Sequence, residues 1–243
     1  MAEELPPIDP AEFKKVVETR RSIRLYTEET IPEDVMRQCL DLALLAPSSF
    51  NLQPWEFYWV RSPEKKKKLV EACLSQSTAK TAAELVVCVA RRKTWRKNRK
   101  EILERIESEN LNLPESHIQY YKILIPFFYT QGFLDTIGFL KSILYYIRGL
   151  FVPTPREPVS INDMKIWAVK ASALACENLM LALRAFGYDS CPLEFHDSSR
   201  IKKLLDLSSD AIITMVITAG KRAPNGLYGD RTRLDKLHFI REV

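Results

Sequence analysis

One segment decides more about this chain than any other: WAVKASALACENLMLALRAFG, Trp167 to Gly187. Its apolar residues recur at helical spacing and cover most of the circumference, and Gly187 supplies a stop. Ala168, Ala171, Ser172, Ala175 and Cys176 make part of the helix slim. A helix that is apolar nearly all round has to be covered on nearly every side. A chain of 243 residues with 46% hydrophobic content can build one modest domain around it. The economical cover for the remaining side is a second copy of the chain, so an obligate homodimer is expected.

The other elements follow from periodicity and punctuation. Phe13–Thr19 reads as a short helix, and Thr30-Ile31-Pro32-Glu33 opens another that runs to Ala46. Glu56–Val60 reads as a buried strand, and Ser62-Pro63-Glu64 opens a third helix. The apolar runs Glu84–Ala90 and Ala211–Gly220 predict buried strands, and Lys236–Val243 alternates weakly, as an edge strand would. Ile123–Pro153 is the most apolar region, but Asp135, Lys141 and Arg148 interrupt it. No uncharged run there approaches the ~18 residues of a spanning helix, so the region predicts a core or lid helix pair and no stable membrane insertion. Its aromatic content leaves interfacial membrane contact as an alternative.

Composition excludes several classes. Cys39, Cys73, Cys88, Cys176 and Cys191 are odd in number and not spaced like metal ligands, and only three histidines occur. Buried free thiols and no metal site are expected. MAEELPPIDP has no signal-peptide character, which with the thiols predicts a cytoplasmic protein. The net charge is +5, with basic clusters at Ser62–Ala72 and Arg91–Glu107. The pairs Lys97–Glu101, Lys100–Glu104 and Glu101–Arg105 make the second cluster a solvated helix face, and no nucleic-acid partner is expected. Among seven glycines neither GxGxxG nor GxxxxGK can be written, so a bound phosphate would have to be held by side chains.

Arg20, Arg21, Ser22 and Arg24 at a helix end, with Arg231 and Arg233 near the C-terminus, offer planar, always-charged donors and a hydroxyl. Between a helix and a strand, Ala46-Pro47-Ser48-Ser49-Phe50-Asn51-Leu52-Gln53-Pro54-Trp55 places more polar groups than a connection needs. After the slim helix come Pro192, Leu193, Glu194 and Phe195.

At these residues, in this order, the chain resembles the FMN-dependent nitroreductase family. The family's R-[RH]-S-x-[RK] is matched by Arg20–Arg24, its A-P-S-x-x-N-x-Q-P-W by Ala46–Trp55, its P-x-E-G by Pro192–Phe195, and its terminal basic pair by Arg231 and Arg233. The resemblance implies an α+β fold across 1–243, with a central, mixed but mainly antiparallel sheet flanked by helices in an intertwined homodimer. An apolar helical insert or lid is expected at about 111–157. It implies that Arg20, Ser22, Arg231 and Arg233 hold the FMN phosphate, with Arg21 beside them. Arg24 would contribute positive charge near the flavin's N1 and C2 carbonyl side or at the reductant's phosphates. Pro47, Ser48, Ser49 and Asn51 would reach the flavin from the neighbouring subunit, and the terminal strand would cross to the partner's sheet. The backbone N–H of Glu194, after Pro192 and Leu193, would face flavin N5, and Gln76 would touch the ring edge. NAD(P)H would be a transient reductant in a ping-pong reduction of small nitroaromatic or quinone-like acceptors. Phe195 departs from the usual glycine, and the insert is unusually aromatic. Two alternatives remain from sequence: another flavin reaction, such as reductive dehalogenation using Glu115, Tyr120 and Lys141 or flavin fragmentation, and a basic non-catalytic protein on nucleic acid or a membrane surface.

Overall fold

The computed structural model describes residues 6–111 and 113–243. At its centre lies a four-stranded sheet of order β1-β2-β4-β3, made from β1 (Trp55–Trp59), β2 (Glu84–Arg91), β3 (Asp189–Leu193) and β4 (Ala211–Gly220). Every strand pair is antiparallel. The expected mixed character is reduced to one isolated parallel bridge, Ser22 to Ser190. β3 has no counterpart among the strands expected from sequence, because DSCPL is short and carries a proline. Pro192 is tolerated there because β3 is an edge strand, where a missing N–H breaks no second ladder.

Helices lie on both faces. α1 (Pro10–Thr19) and α2 (Glu33–Leu44) precede β1, and α3 (Pro63–Ala72) and α4 (Ser77–Thr81) connect β1 to β2. Asp9 caps α1 through Ala11 N–H, so that helix begins three residues before the apolar pattern does. α5 (Trp95–Ser108) is the basic helix. It is followed by α6 (Glu115–Gln119), a π-helical turn over Tyr120–Leu124, α7 (Ile125–Tyr129) and α8 (Thr136–Arg148). α9 (Ile161–Ala185) precedes β3, and α10 (Ser198–Leu204) links β3 to β4.

Residues of α2 and α9 pack with Val86, Cys88, Met215 and Ile217 on one side of the sheet. Leu69 and Ala72 of α3 and Ile201 of α10 pack with Leu85, Val87, Val89 and Ile213 on the other. This alternation is the period of two that a strand imposes. A register shift between Cys88 and Val89 leaves Thr214 without a β2 partner, and its hydroxyl meets Ser172 Oγ of α9 at 3.0 Å.

α9 starts six residues before the expected Trp167, because Ser160 and Asp163 form a reciprocal capping box. Gly187, at φ +84°, ends it in the left-handed conformation a stop requires. One chain buries Trp167, Ala168, Ala171, Ser172, Ala175, Cys176, Leu179 and Leu183, yet leaves Ile166 and Leu174 exposed. Leu42, Leu44 and Leu45, at the end of α2, are exposed as well, while Cys39 and Ala43 face inward. All five cysteines are free and buried. The tail forms a short turn at Lys236–His238, and His238–Val243 joins no strand among the described residues.

Candidate functional site

The basic cleft is built outward from one buried side chain. Ile23, fully buried, anchors the segment after α1. Its N–H donates to Ser190 O at 3.1 Å, and its carbonyl accepts from the buried hydroxyl of Thr78 in α4 at 3.0 Å. Arg24 N–H donates to Gly226 O at 2.8 Å, and Ala223 N–H to Leu25 O at 3.1 Å. The segment after α1 is thereby laced to the segment after β4. A Cβ on Gly226 would lie 2.6 Å from Leu25 O, so this close backbone approach requires glycine.

With the backbone so fixed, Arg20, Arg21, Ser22, Arg24, Arg231 and Arg233 all line one open cavity of about 400 Å³, together with Tyr228. Five of the predicted phosphate-binding and neighbouring residues are thus guanidinium donors around one hollow, opposed only by Asp230 among its lining residues. Arg21 donates to Gly229 O at 2.7 Å and Arg231 to Arg20 O at 2.6 Å, which orients both planes without neutralising either. Arg24 lies over the Tyr228 ring, 5.8 Å from its centroid. Desolvation and the like charges of Arg21, Arg233 and Arg20 hold Arg231 below the usual guanidinium range. Arg20 also meets Glu177 at 3.6 Å, but five guanidinium groups against that carboxylate and Asp230 leave an excess of positive charge that is complementary to a multiply charged anion, and planar donors with a serine hydroxyl suit a phosphate monoester. The residues present fit that group.

Pro192 and Leu193 close β3, with Leu193 buried, and Glu194 stands exposed just beyond it. The Gln76 amide is already held through its Nε2, which donates to Cys73 O and Phe195 O, each at 3.0 Å, so an external ring would meet its oxygen rather than its N–H groups. It therefore braces the backbone at Phe195, just after β3. Phe195 has no left-handed backbone, so glycine is not demanded there, and its ring is 76% exposed.

The loop after Pro47 is strained. Phe50, Asn51 and Gln53 have φ of 55°, 51° and 45°, a left-handed region that non-glycine residues rarely adopt. Ser48 Oγ accepts from Gln53 N–H at 2.9 Å, while Tyr121 donates to Phe50 O at 2.9 Å. Asn98 of α5 donates to both Leu52 O (2.8 Å) and Gln53 O (3.1 Å). The loop has two working faces. Pro47, Ser48 and Ser49 line a hollow of about 210 Å³ with Trp167 and Lys170, and Asn51 and Gln53 line one of about 840 Å³ against α5. Neither hollow includes residues of the basic cleft, so within one chain the two predicted halves of the site stay apart.

Sequence reasoning missed Thr78, Asn98, Tyr121 and Tyr228. Asn98 is the one uncharged residue within Arg96–Glu101, and Tyr121 is a hydroxyl in an apolar segment that needs a partner when buried. Thr78 and Tyr228 carry no comparable signal. The residues of the dehalogenation alternative do not converge. Lys141 Nζ is taken up by the carbonyls of Phe127 and Thr130, Glu115 accepts from Gln119 at 2.8 Å, and Tyr120 packs on His117. On α5 the pairs Lys97–Glu101 and Lys100–Glu104 form, but Arg105 turns to Glu109 rather than Glu101.

The model of the nitroreductase family matches residues 17–221. A protein of Thermus thermophilus named NADH dehydrogenase is 28% identical over 233 residues, covering 96% of each chain. The candidate NAD(P)H nitroreductase YdgI of Bacillus subtilis is 27% identical over 228 residues, covering 93% of this chain and 96% of that one. Among solved structures, a candidate nitroreductase of Exiguobacterium sibiricum in complex with FMN superposes with a TM-score of 0.72 at 24% identity, covering 95% of this chain and 97% of the other.

Proposed function

Because this chain belongs to the nitroreductase family, we propose that it is an FMN-dependent oxidoreductase. It would use NAD(P)H to reduce nitroaromatic or quinone-like acceptors by two electrons in a ping-pong cycle. The observation that carries the reading is the cleft in which five arginines and Ser22 converge, with Asp230 the one carboxylate among its lining residues. When bound, FMN supplies the hydride chemistry; the protein supplies binding, orientation and electrostatics.

Arg20, Ser22, Arg231 and Arg233 hold the phosphate, and Arg21 and Arg24 add positive potential beside it. The backbone at Glu194, braced by Gln76, presents an N–H toward the reactive edge of the ring. Pro47, Ser48, Ser49 and Asn51 serve the cleft of a second copy, which explains why a strained polar loop sits apart from the basic cleft of its own chain. The exposed apolar strip of Ile166 and Leu174 on α9 and Leu42, Leu44 and Leu45 on α2 supplies the contact surface between copies. The tail His238–Val243, unpaired in its own sheet, supplies a crossing strand. Arg24 would supply positive charge to stabilise the negative charge that bound FMN takes up.

The test is oxidation of NADH and NADPH by the purified protein with a nitroarene or quinone acceptor, read with its visible absorption. Parallel double-reciprocal lines and flavin absorption support the reading. A colourless protein that neither binds FMN nor oxidises either nucleotide refutes it.

A further inference from the structure

α8 is built inside out. Its buried positions are Gly138, Lys141 and Tyr145, a narrow seam in which the one cation is pinned to the carbonyls of Phe127 and Thr130. Its outward positions are apolar: Phe139, Leu140 and Leu144 are 66%, 65% and 57% exposed. At 100° per residue, Ile137 through Ile147 place apolar side chains over about half the circumference without a break. The elbow before α8 extends the same surface, since Phe133 and Leu134 are 82% and 79% exposed. Left-handed residues Gly132, Leu134 and Asp135 fix that elbow, and the arms Glu115–Tyr129 and Phe133–Arg148 meet at 69°.

Charge indicates what covers this surface. Between residues 116 and 156 the only carboxylate is Asp135, and it is turned inward to accept Ile161 N–H at 3.0 Å. Lys122, Arg148 and Arg156 stand exposed at the borders of the apolar surface. Exposed Glu115 and Glu157 stand just beyond these limits, but a wide apolar surface whose own exposed charges are all cationic matches the headgroup region of an anionic bilayer. Neither arm of the elbow has the ~20 residues a crossing needs, so the contact is shallow.

We propose that the hairpin of α7 and α8 adsorbs onto an anionic lipid surface, burying the elbow and the outward face of α8 while the chain stays on one side. The test is co-sedimentation of the full flavin-loaded protein with vesicles of phosphatidylcholine alone and of phosphatidylcholine mixed with phosphatidylglycerol, at low and high salt. The protein is expected to bind the mixed vesicles, more weakly in high salt and on the neutral vesicles. The variant L140E/L144E, with unchanged circular dichroism, should lose at least about tenfold in partitioning. In a second variant, Phe139→Trp, the added fluorescence should shift to the blue on mixed vesicles. Absence of binding to either vesicle overturns the proposal, as does binding that survives L140E/L144E. A lower assembly mass for L140E/L144E in light scattering, without vesicle binding by the parent, overturns it in favour of a second copy on this face.

Discussion

Replacing Asn98 with alanine isolates how the loop after Pro47 is held. One amide in α5 donates to two consecutive carbonyls, Leu52 O and Gln53 O, at 2.8 and 3.1 Å. Each neutral hydrogen bond contributes ~0.5–1.5 kcal/mol, and the Leu52 carbonyl belongs to a fully buried residue that would lose this donor. The three left-handed residues beside it, Phe50, Asn51 and Gln53, each cost about 1 kcal/mol or more, so the loop relaxes once a brace is removed. The expected loss is about 2 kcal/mol. For a domain of this size that is a fall in Tm of roughly 4–8 °C. Thermal unfolding followed by circular dichroism reads this, with Lys97→Ala, on an exposed neighbouring side chain, as control. FMN should also leave the variant faster, because the loop presents Ser48, Ser49 and Asn51. A Tm within about 1 °C of the parent, with unchanged flavin release, would refute the reasoning.

The double variant R231A/R233A should lose FMN on gel filtration while keeping its circular dichroism, since it removes two of the five guanidinium groups in the cleft; full retention of flavin would remove the phosphate assignment. Asp163 should make the α9 cap pH-dependent. Burial raises its pKa, but the N–H groups of Ser160 and Val159 outweigh that and hold the carboxyl below its ordinary value. Its contribution is therefore complete above the unfolded pKa of ~3.9 and lost as pH falls through the lower folded value, so Asp163→Asn should cost ~1 kcal/mol at neutral pH and little in acid, read by urea unfolding. Deleting His238–Val243 should lower the assembly mass in light scattering at micromolar concentration, and an unchanged mass would leave the crossing-strand role without support.

Much of the fold was legible because burial imposes periods. β4 spans the residues its apolar run indicates, and α3 starts at the Ser62-Pro63 signal. β3 was not, because its proline and polar residues make sense only once an edge strand and the cleft beside it are known. In the site, charge and motif order were sufficient for Arg20, Arg21, Ser22, Arg24, Arg231 and Arg233, which share one hollow. The supports were not legible. Asn98 and Thr78 act on backbone carbonyls 46 and 55 positions away, and no local pattern encodes such a partner. Gln76 shows the same limit, since its nearness to the site was legible but its engagement with Phe195 O was not.

The central claim is that the arginine cleft recognises the phosphate of a flavin mononucleotide. Equilibrium binding of FMN and of riboflavin to the flavin-free protein, followed by quenching of flavin fluorescence, tests it most directly, because the two ligands differ only by that phosphate. Loss of two charge-assisted contacts predicts that FMN binds at least about a hundredfold more tightly, with a preference that shrinks as salt rises. Equal affinity for the two flavins would contradict the account.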